Sequence, residues 1–157
     1  MIKNVELYRP GVGLMIVNKE KKVFLGRKYS QAKKYLQMPQ GGIELGETPI
    51  SAAMREMKEE IGTNNCKIIL ETKKWYFYNI PFKIQNQEHE KKYIGQMQKW
   101  FLIEFLGKDE EIDIFNSEVA EFDEWLWLHF DEIIEYTVPF KKKLYISIIK
   151  EFRNYFN

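Results

Sequence analysis

Short apolar runs separated by polar turns set the rhythm of the chain. Residues 11–17 (GVGLMIV) and 23–26 are apolar and flank the polar stretch 18–22, which predicts a hairpin or two adjacent strands. Residues 67–72, 74–80, 98–105 and 124–128, rich in Ile, Phe, Tyr and Trp, predict four further strands. Two segments, at about 49–61 and about 139–155, switch to helical spacing. In the second, Leu144, Ile148 and Phe152 recur every fourth residue with Tyr145 and Ile149 beside them, the stripe of a packing helix. Strands interrupted by two helices predict an α+β fold, a mixed β-sheet clasped by helices as an α/β/α sandwich. Residues 82–92 and 107–121 are polar, acidic and too long for tight turns, so they are expected to form mobile functional loops.

The first helix is clearly punctuated. Thr48 can cap its start, Pro49 suits the first helical position, and Gly62 can take the left-handed conformation that ends it. At about 100° per residue, Ile50, Ala53, Met54, Met57 and Ile61 share one arc, while Glu56, Glu59 and Glu60 gather roughly a third of a turn away. Glutamates at i, i+3 and i+4 repel one another, and the helix dipole disfavours negative charge in the last turns; each effect costs a few tenths of a kcal/mol. A divalent cation relieves both. Mg²⁺ or Mn²⁺ fits, because each takes oxygen ligands and shares its shell with waters and substrate phosphates.

Size and composition narrow the reading. A chain of 157 residues suits one domain, 1–157. With 24 Lys plus Arg against 23 Asp plus Glu, the net charge of +1 gives no general case for nucleic acid, and DNA is not an expected partner. An anionic substrate must therefore meet a local basic patch. Lys141, Lys142 and Lys143 are first of all a solvated face and only second a phosphate-facing one. The single cysteine, Cys66, excludes an internal disulfide and a thiolate metal cluster, and fits a reducing cytoplasm. No leader-like start and no apolar window near eighteen residues exist, so a cytoplasmic protein without a membrane span is expected, acting as a monomer. His89 and His129 have no Ser or Cys partner at triad spacing and are expected to be structural or exposed.

Spacing around the glutamates adds more. Gly41, five residues, Glu47, seven residues, then Arg55-Glu56-Met57-Lys58-Glu59-Glu60-Ile61-Gly62 matches the box GX5EX7REUXEEXGU, and here the chain resembles the Nudix hydrolase family. Thr63, where the box is normally aliphatic, changes packing rather than chemistry. The resemblance implies a Nudix-type α/β/α sandwich with a catalytic loop-helix-loop. It implies that Glu56, Glu59 and Glu60 hold metal ions beside Gly41, that Glu47 and Arg55 orient the helix, and that Gly41 and Gly42 shape the loop. The chemistry implied is hydrolysis of a phosphoanhydride by in-line attack of water.

The box does not specify the substrate. The segments 8–13 (YRPGVG), 38–42 (MPQGG), 94–101 (IGQMQKWF) and 121–127 (EFDEWLW) are similar to the family's branch that acts on RNA 5′ ends and dinucleoside polyphosphates. That similarity implies conversion of 5′-triphosphate RNA ends to 5′-monophosphate, the step that starts 5′-end-dependent mRNA decay. The alternative is hydrolysis of diadenosine tetraphosphate to ATP and AMP. By resemblance Arg9, Arg27, Gln40, Gln96 and Lys141 contact phosphates or nucleotide, and Phe140 stacks on a base, an interaction worth about 1–3 kcal/mol. Glu121 is the implied metal ligand or general base, with Glu118 as local competitor. Leu36 stands where relatives often have Trp, and the stretch 31–35 is one residue longer. Two rival classes stand beside this reading: a non-catalytic RNA or nucleotide-binding module, which the intact glutamates and Arg55 disfavour, and a hydrolase of damaged nucleotides.

Overall fold

The computed structural model describes residues 4–29, 31–85, 93–118 and 120–157. The apolar run at the start becomes β1 (Tyr8–Val17), which turns back into β2 (Val23–Lys28) as its antiparallel neighbour. Asn18 makes the turn: its Oδ1 accepts from the Glu20 and Lys22 N–H groups, each at 3.0 Å, and Lys21 takes φ +60°. The strands β3 (Gln40–Gly42), β4 (Cys66–Glu71), β5 (Tyr76–Asn79), β6 (Gly95–Phe105) and β7 (Phe122–Leu128) complete a seven-stranded sheet. Its order is β4-β6-β1-β2-β7, with β3 also on β1 and β5 also on β6. β1 and β6 run parallel from Tyr8↔Gly95 to Val17↔Glu104, and the other pairings are antiparallel, so the sheet is mixed.

Every residue from 11 to 17 is buried because both faces of β1 are covered. Val12, Leu14 and Ile16 point to one face, where Ala52, Ala53, Met57 and Ile61 of helix α1 (Pro49–Ile61) pack. Met15 and Val17 point to the other, where Leu144, Tyr145, Ile148, Ile149 and Phe152 of the terminal helix form the second core. The expected α/β/α sandwich is therefore the observed one. The stripe on the terminal helix packs as expected, but the arc on α1 shifts: Ile50, in the first turn, is 50% exposed.

The remaining differences are at ends and connections. β1 and β6 begin earlier than their apolar runs, at Tyr8 and Gly95, because the parallel ladder carries on through polar Arg9 and Gln96. β3 lacks strand formers and is held by β1 through Gly11↔Gly42 and Gly13↔Gln40. A short helix α2 (Phe82–Gln85) occupies the start of the predicted loop 82–92, whose residues 86–92, including His89, lie outside the described residues. The loop 107–121 is tied to the end of α1 by the Asp113 N–H on the Ile61 carbonyl at 2.7 Å. Helix α3 (Lys142–Phe156) follows two 3-10 helical segments, Phe130–Tyr136 and Pro139–Lys141. Among the described residues no helix is long and apolar enough to cross a membrane.

Candidate active site

The glutamate helix is fixed at both ends. Thr48 Oγ1 accepts from the Ser51 N–H at 3.1 Å, Ser51 Oγ accepts from the Thr48 N–H at 3.0 Å, and Gly62 at φ +85° donates to the Lys58 carbonyl at 3.0 Å. Between these ends Arg55 commits all five of its N–H groups. Nε and Nη2 grip the two oxygens of Glu47 at 2.7 and 3.0 Å, and Nη2 also reaches the Gly42 carbonyl at 2.7 Å. Nη1 donates to Glu56 and Glu59 at 2.8 and 3.1 Å. The Arg55 guanidinium, helped by the Glu44 N–H, holds the Glu47 carboxyl down to a pKa of about 2. Glu47 thereby ties the loop to the helix while staying ionised.

Glu56 and Glu60 face inward, 8% and 6% exposed. Burial raises the Glu56 pKa even against the pull of Arg55. Burial raises that of Glu60 well above the usual carboxylate range, reinforced by repulsion from Glu56 and Glu121 and opposed by Lys28 and Lys141. One oxygen of Glu60, Oε2, is buried with no hydrogen-bond partner. Gly41 makes room for its neighbour: a Cβ there would lie 1.9 Å from the Glu56 carboxyl carbon.

These side chains border a cleft of about 640 Å³. Glu56, Glu59, Glu60 and Gly41 line it together with Glu118 and Glu121 of the loop before β7, and with Arg9, Gln40 and Gln96 from the strand ends. Arg9 lies against Gly42, where a Cβ would fall 2.6 Å from its Nη2. Glu47 and Arg55 stand behind the lining. Lys141 is only 3% exposed and acts from beneath, its Nζ donating to Gln40 at 3.1 Å and Gln37 at 3.4 Å. Phe140 is half-buried against the α3-side core, its ring stacked on Tyr78 with centroids 6.2 Å apart. Arg27 is not brought to the cleft: it pairs with Asp123 at 2.9 Å and Glu124 at 3.1 Å. His129 is exposed and bonded to Asp131.

Lys28, Gln37 and Ser117 line the cleft and were not singled out in the sequence. For Lys28 the signal is strand alternation, since adjacent residues of β2 face opposite ways. The register shift at Arg27/Lys28 leaves Asp123 unpaired in the ladder and within reach of Arg27.

A family model described as "NUDIX domain" matches residues 7–148, and the chain belongs to this family of phosphoanhydride hydrolases. Among its relatives, the RNA pyrophosphohydrolases of Orientia tsutsugamushi (strain Boryong) and Rickettsia bellii (strain OSU 85-389) are 49% and 48% identical over 145 and 147 residues. The matches cover 92% and 94% of this chain and 89% and 91% of theirs. Among solved structures, the E. coli dihydroneopterin triphosphate pyrophosphohydrolase superposes with a TM-score of 0.70 at 18% identity, covering 90% of this chain and 95% of that one, and shares the fold.

Members of the family generally need divalent metals, and the residues here fit one. The donors offered to the cleft are carboxylates, the ligands of a hard cation, and the unpartnered Glu60 Oε2 is the group such an ion would satisfy. Among the described residues no three carboxylates yet converge as a coordination sphere; the Nη1 of Arg55 holds Glu56 and Glu59 instead.

Proposed function

We propose that the protein is an RNA pyrophosphohydrolase, which converts 5′-triphosphate RNA ends to 5′-monophosphate with release of pyrophosphate. The observation that carries this is the cleft in which buried, mutually repelling carboxylates meet Arg9 and Lys28: a cation and a polyphosphate together satisfy both sets of charges. The names of the two bacterial relatives, similar along nearly the whole chain, support RNA as the carrier of that polyphosphate.

Mg²⁺ or Mn²⁺ would be held by Glu56, Glu59 and Glu60 beside the Gly41 backbone; when bound, such ions neutralise phosphoryl oxygens and lower the pKa of water. Arg9 and Lys28 bind phosphates, with Gln40 and Gln96 beside them. Lys141 adds positive charge from below by holding Gln40, and Phe140 stacks on a base once it turns from Tyr78. Arg55 and Glu47 keep the glutamate helix in place against the β3 loop. Glu121 takes the proton of the attacking water; its charge is already felt by Glu56 and Glu60, which favours it over Glu118. The water oxygen bonds to phosphorus, the P–O anhydride bond opposite breaks, and pyrophosphate leaves. A monomer working in the cytoplasm suffices for this.

The test is product analysis with Mg²⁺ on 5′-triphosphorylated RNA beside diadenosine tetraphosphate. Monophosphorylated RNA ends and pyrophosphate are expected. Intact RNA ends alongside ATP and AMP from the dinucleotide would replace RNA with dinucleoside polyphosphates as the substrate.

A further inference from the structure

Behind the cleft, β6 carries Gln96, Gln98 and Trp100 at alternate positions on one face. Gln98 and Trp100 are both fully buried, so the direction of their hydrogen bonds is fixed by the partners around them. The Trp100 indole can only donate, and it donates to Gln98 Oε1 at 2.9 Å. The Gln98 amide is therefore set with its nitrogen forward, and that nitrogen donates to Gln96 Oε1 at 2.9 Å. A second line of bonds begins at another obligate donor, Lys141, which fixes Gln40 Oε1 at 3.1 Å and turns Gln40 Nε2 toward Tyr78 OH at 2.9 Å and, at the edge of bonding range, Gln96 Oε1 at 3.5 Å. Both lines end on the same oxygen. What Gln96 offers to the cleft is then its amide nitrogen, a donor suited to phosphoryl oxygens, which can only accept.

β1 is shaped to admit this relay. Gly13 pairs with Trp100, and a Cβ on Gly13 would fall 2.1 Å from the indole ring, so this glycine leaves room for the side chain that sets the amide; a Cβ on Gly11 would first meet the Gly41 carbonyl at 2.7 Å and then Gln96 Oε1 at 3.2 Å.

We propose that Gln98 and Trp100 are positioning residues that fix the polarity of the Gln96 amide, so that its NH₂ faces the cleft as a donor to the substrate's phosphoryl oxygens. This rests on the reading of the cleft as a polyphosphate site. Without the indole N–H, only the long contact from Gln40 at 3.5 Å still favours this setting, and the two amides can turn over together, presenting the Gln96 carbonyl oxygen to an anion that repels it.

The experiment is a cycle of Trp100→Phe, Gln96→Ala and the double variant, assayed on 5′-triphosphorylated RNA. Since a hydrogen bond to a charged group contributes about 1.5–3 kcal/mol, each single change should raise KM about tenfold or more with kcat within about twofold. The double variant should be no worse than Gln96→Ala alone. Additive KM effects, or a raised KM for Gln96→Ala with Trp100→Phe unchanged, would overturn the relay. An unchanged KM for Gln96→Ala would instead sink the contact beneath it. Should Trp100→Phe not fold, Gln98→Met breaks the relay at its next link by removing the donor to Gln96 Oε1. A second readout does not depend on turnover: in ¹⁵N spectra, inorganic tripolyphosphate should shift the Gln96 side-chain NH₂ signals of the wild type but not of Trp100→Phe. Equal shifts in both, or none in the wild type, would reject the proposal.

Discussion

Glu60 concentrates the conflict between folding and function. It is buried, repelled by Glu56 and Glu121, and has one oxygen without a partner. Removing its charge should therefore harm catalysis without harming the fold. Glu60→Gln, like Glu59→Gln, is expected to lose a hundredfold or more in kcat, about 2.7 kcal/mol of transition-state stabilisation, while metal-free Glu60→Gln melts no lower than the wild type. Mn²⁺ should raise the melting temperature of the wild type and do so less in the variant; near-wild-type turnover would remove Glu60 from the metal site. The basic pair in β2 makes the complementary point. Lys28→Ala should lower kcat/KM about tenfold, as for loss of one charged hydrogen bond, and Arg27→Ala, cut from Asp123 and Glu124, should change it by less than about twofold. The glutamates were legible because their helical spacing is itself the signal. The choice between Arg27 and Lys28 lay in the alternation of β2, but which face of that strand borders the cleft is decided by the packing of α1, which no local signal announces.

Among the elements, the bounds of helix α1 could be read from Thr48, Pro49 and Gly62, since caps are local chemistry. Strand β3 could not, because Gln-Gly-Gly has no preference for extended structure and owes its shape to β1. Nor could the parallel union of β1 and β6, which joins segments some eighty residues apart. Gly13 is where that union is tightest. Gly13→Ala must displace the Trp100 ring, and overpacking of this kind costs about 1–3 kcal/mol, to be read as a lowered midpoint in urea. The join between β5 and α3 adds to its apolar packing a hydrogen bond from Tyr76 to Glu151. Burial first, and Glu151 second, push the Tyr76 pKa up to about 12 from 10.0. A folded-state pKa above the unfolded one means that this contribution is complete below pH 10 and is lost as pH rises toward 12. Tyr76→Phe should flatten that part of the stability profile; an unchanged slope would show that the Tyr76 hydroxyl titrates no differently in the folded and unfolded chain.

At the scale of the molecule, a net charge of +1 conceals a cleft lined by both signs. Composition gave no hint of it, since Arg9, Lys28 and Glu121 gather only through the sheet. If Arg9 and Lys28 each neutralise a phosphate, affinity for RNA should fall with salt, with a logarithmic slope of about 1.4, from about 0.7 per contact on a single strand. A flat response would mean that these cations do not touch the backbone. The parallel pairing also has a bearing on synthesis. β1 leaves the ribosome early, yet its long partner ends at Phe105, and the cleft's loop and Lys141 come later still. A nascent chain stopped before residue 95 carries the entire glutamate helix but lacks β6, the long parallel partner of β1 in the sheet on which that helix packs. Such fragments should be inert, so enzymatic competence arrives late in translation and nearly all at once.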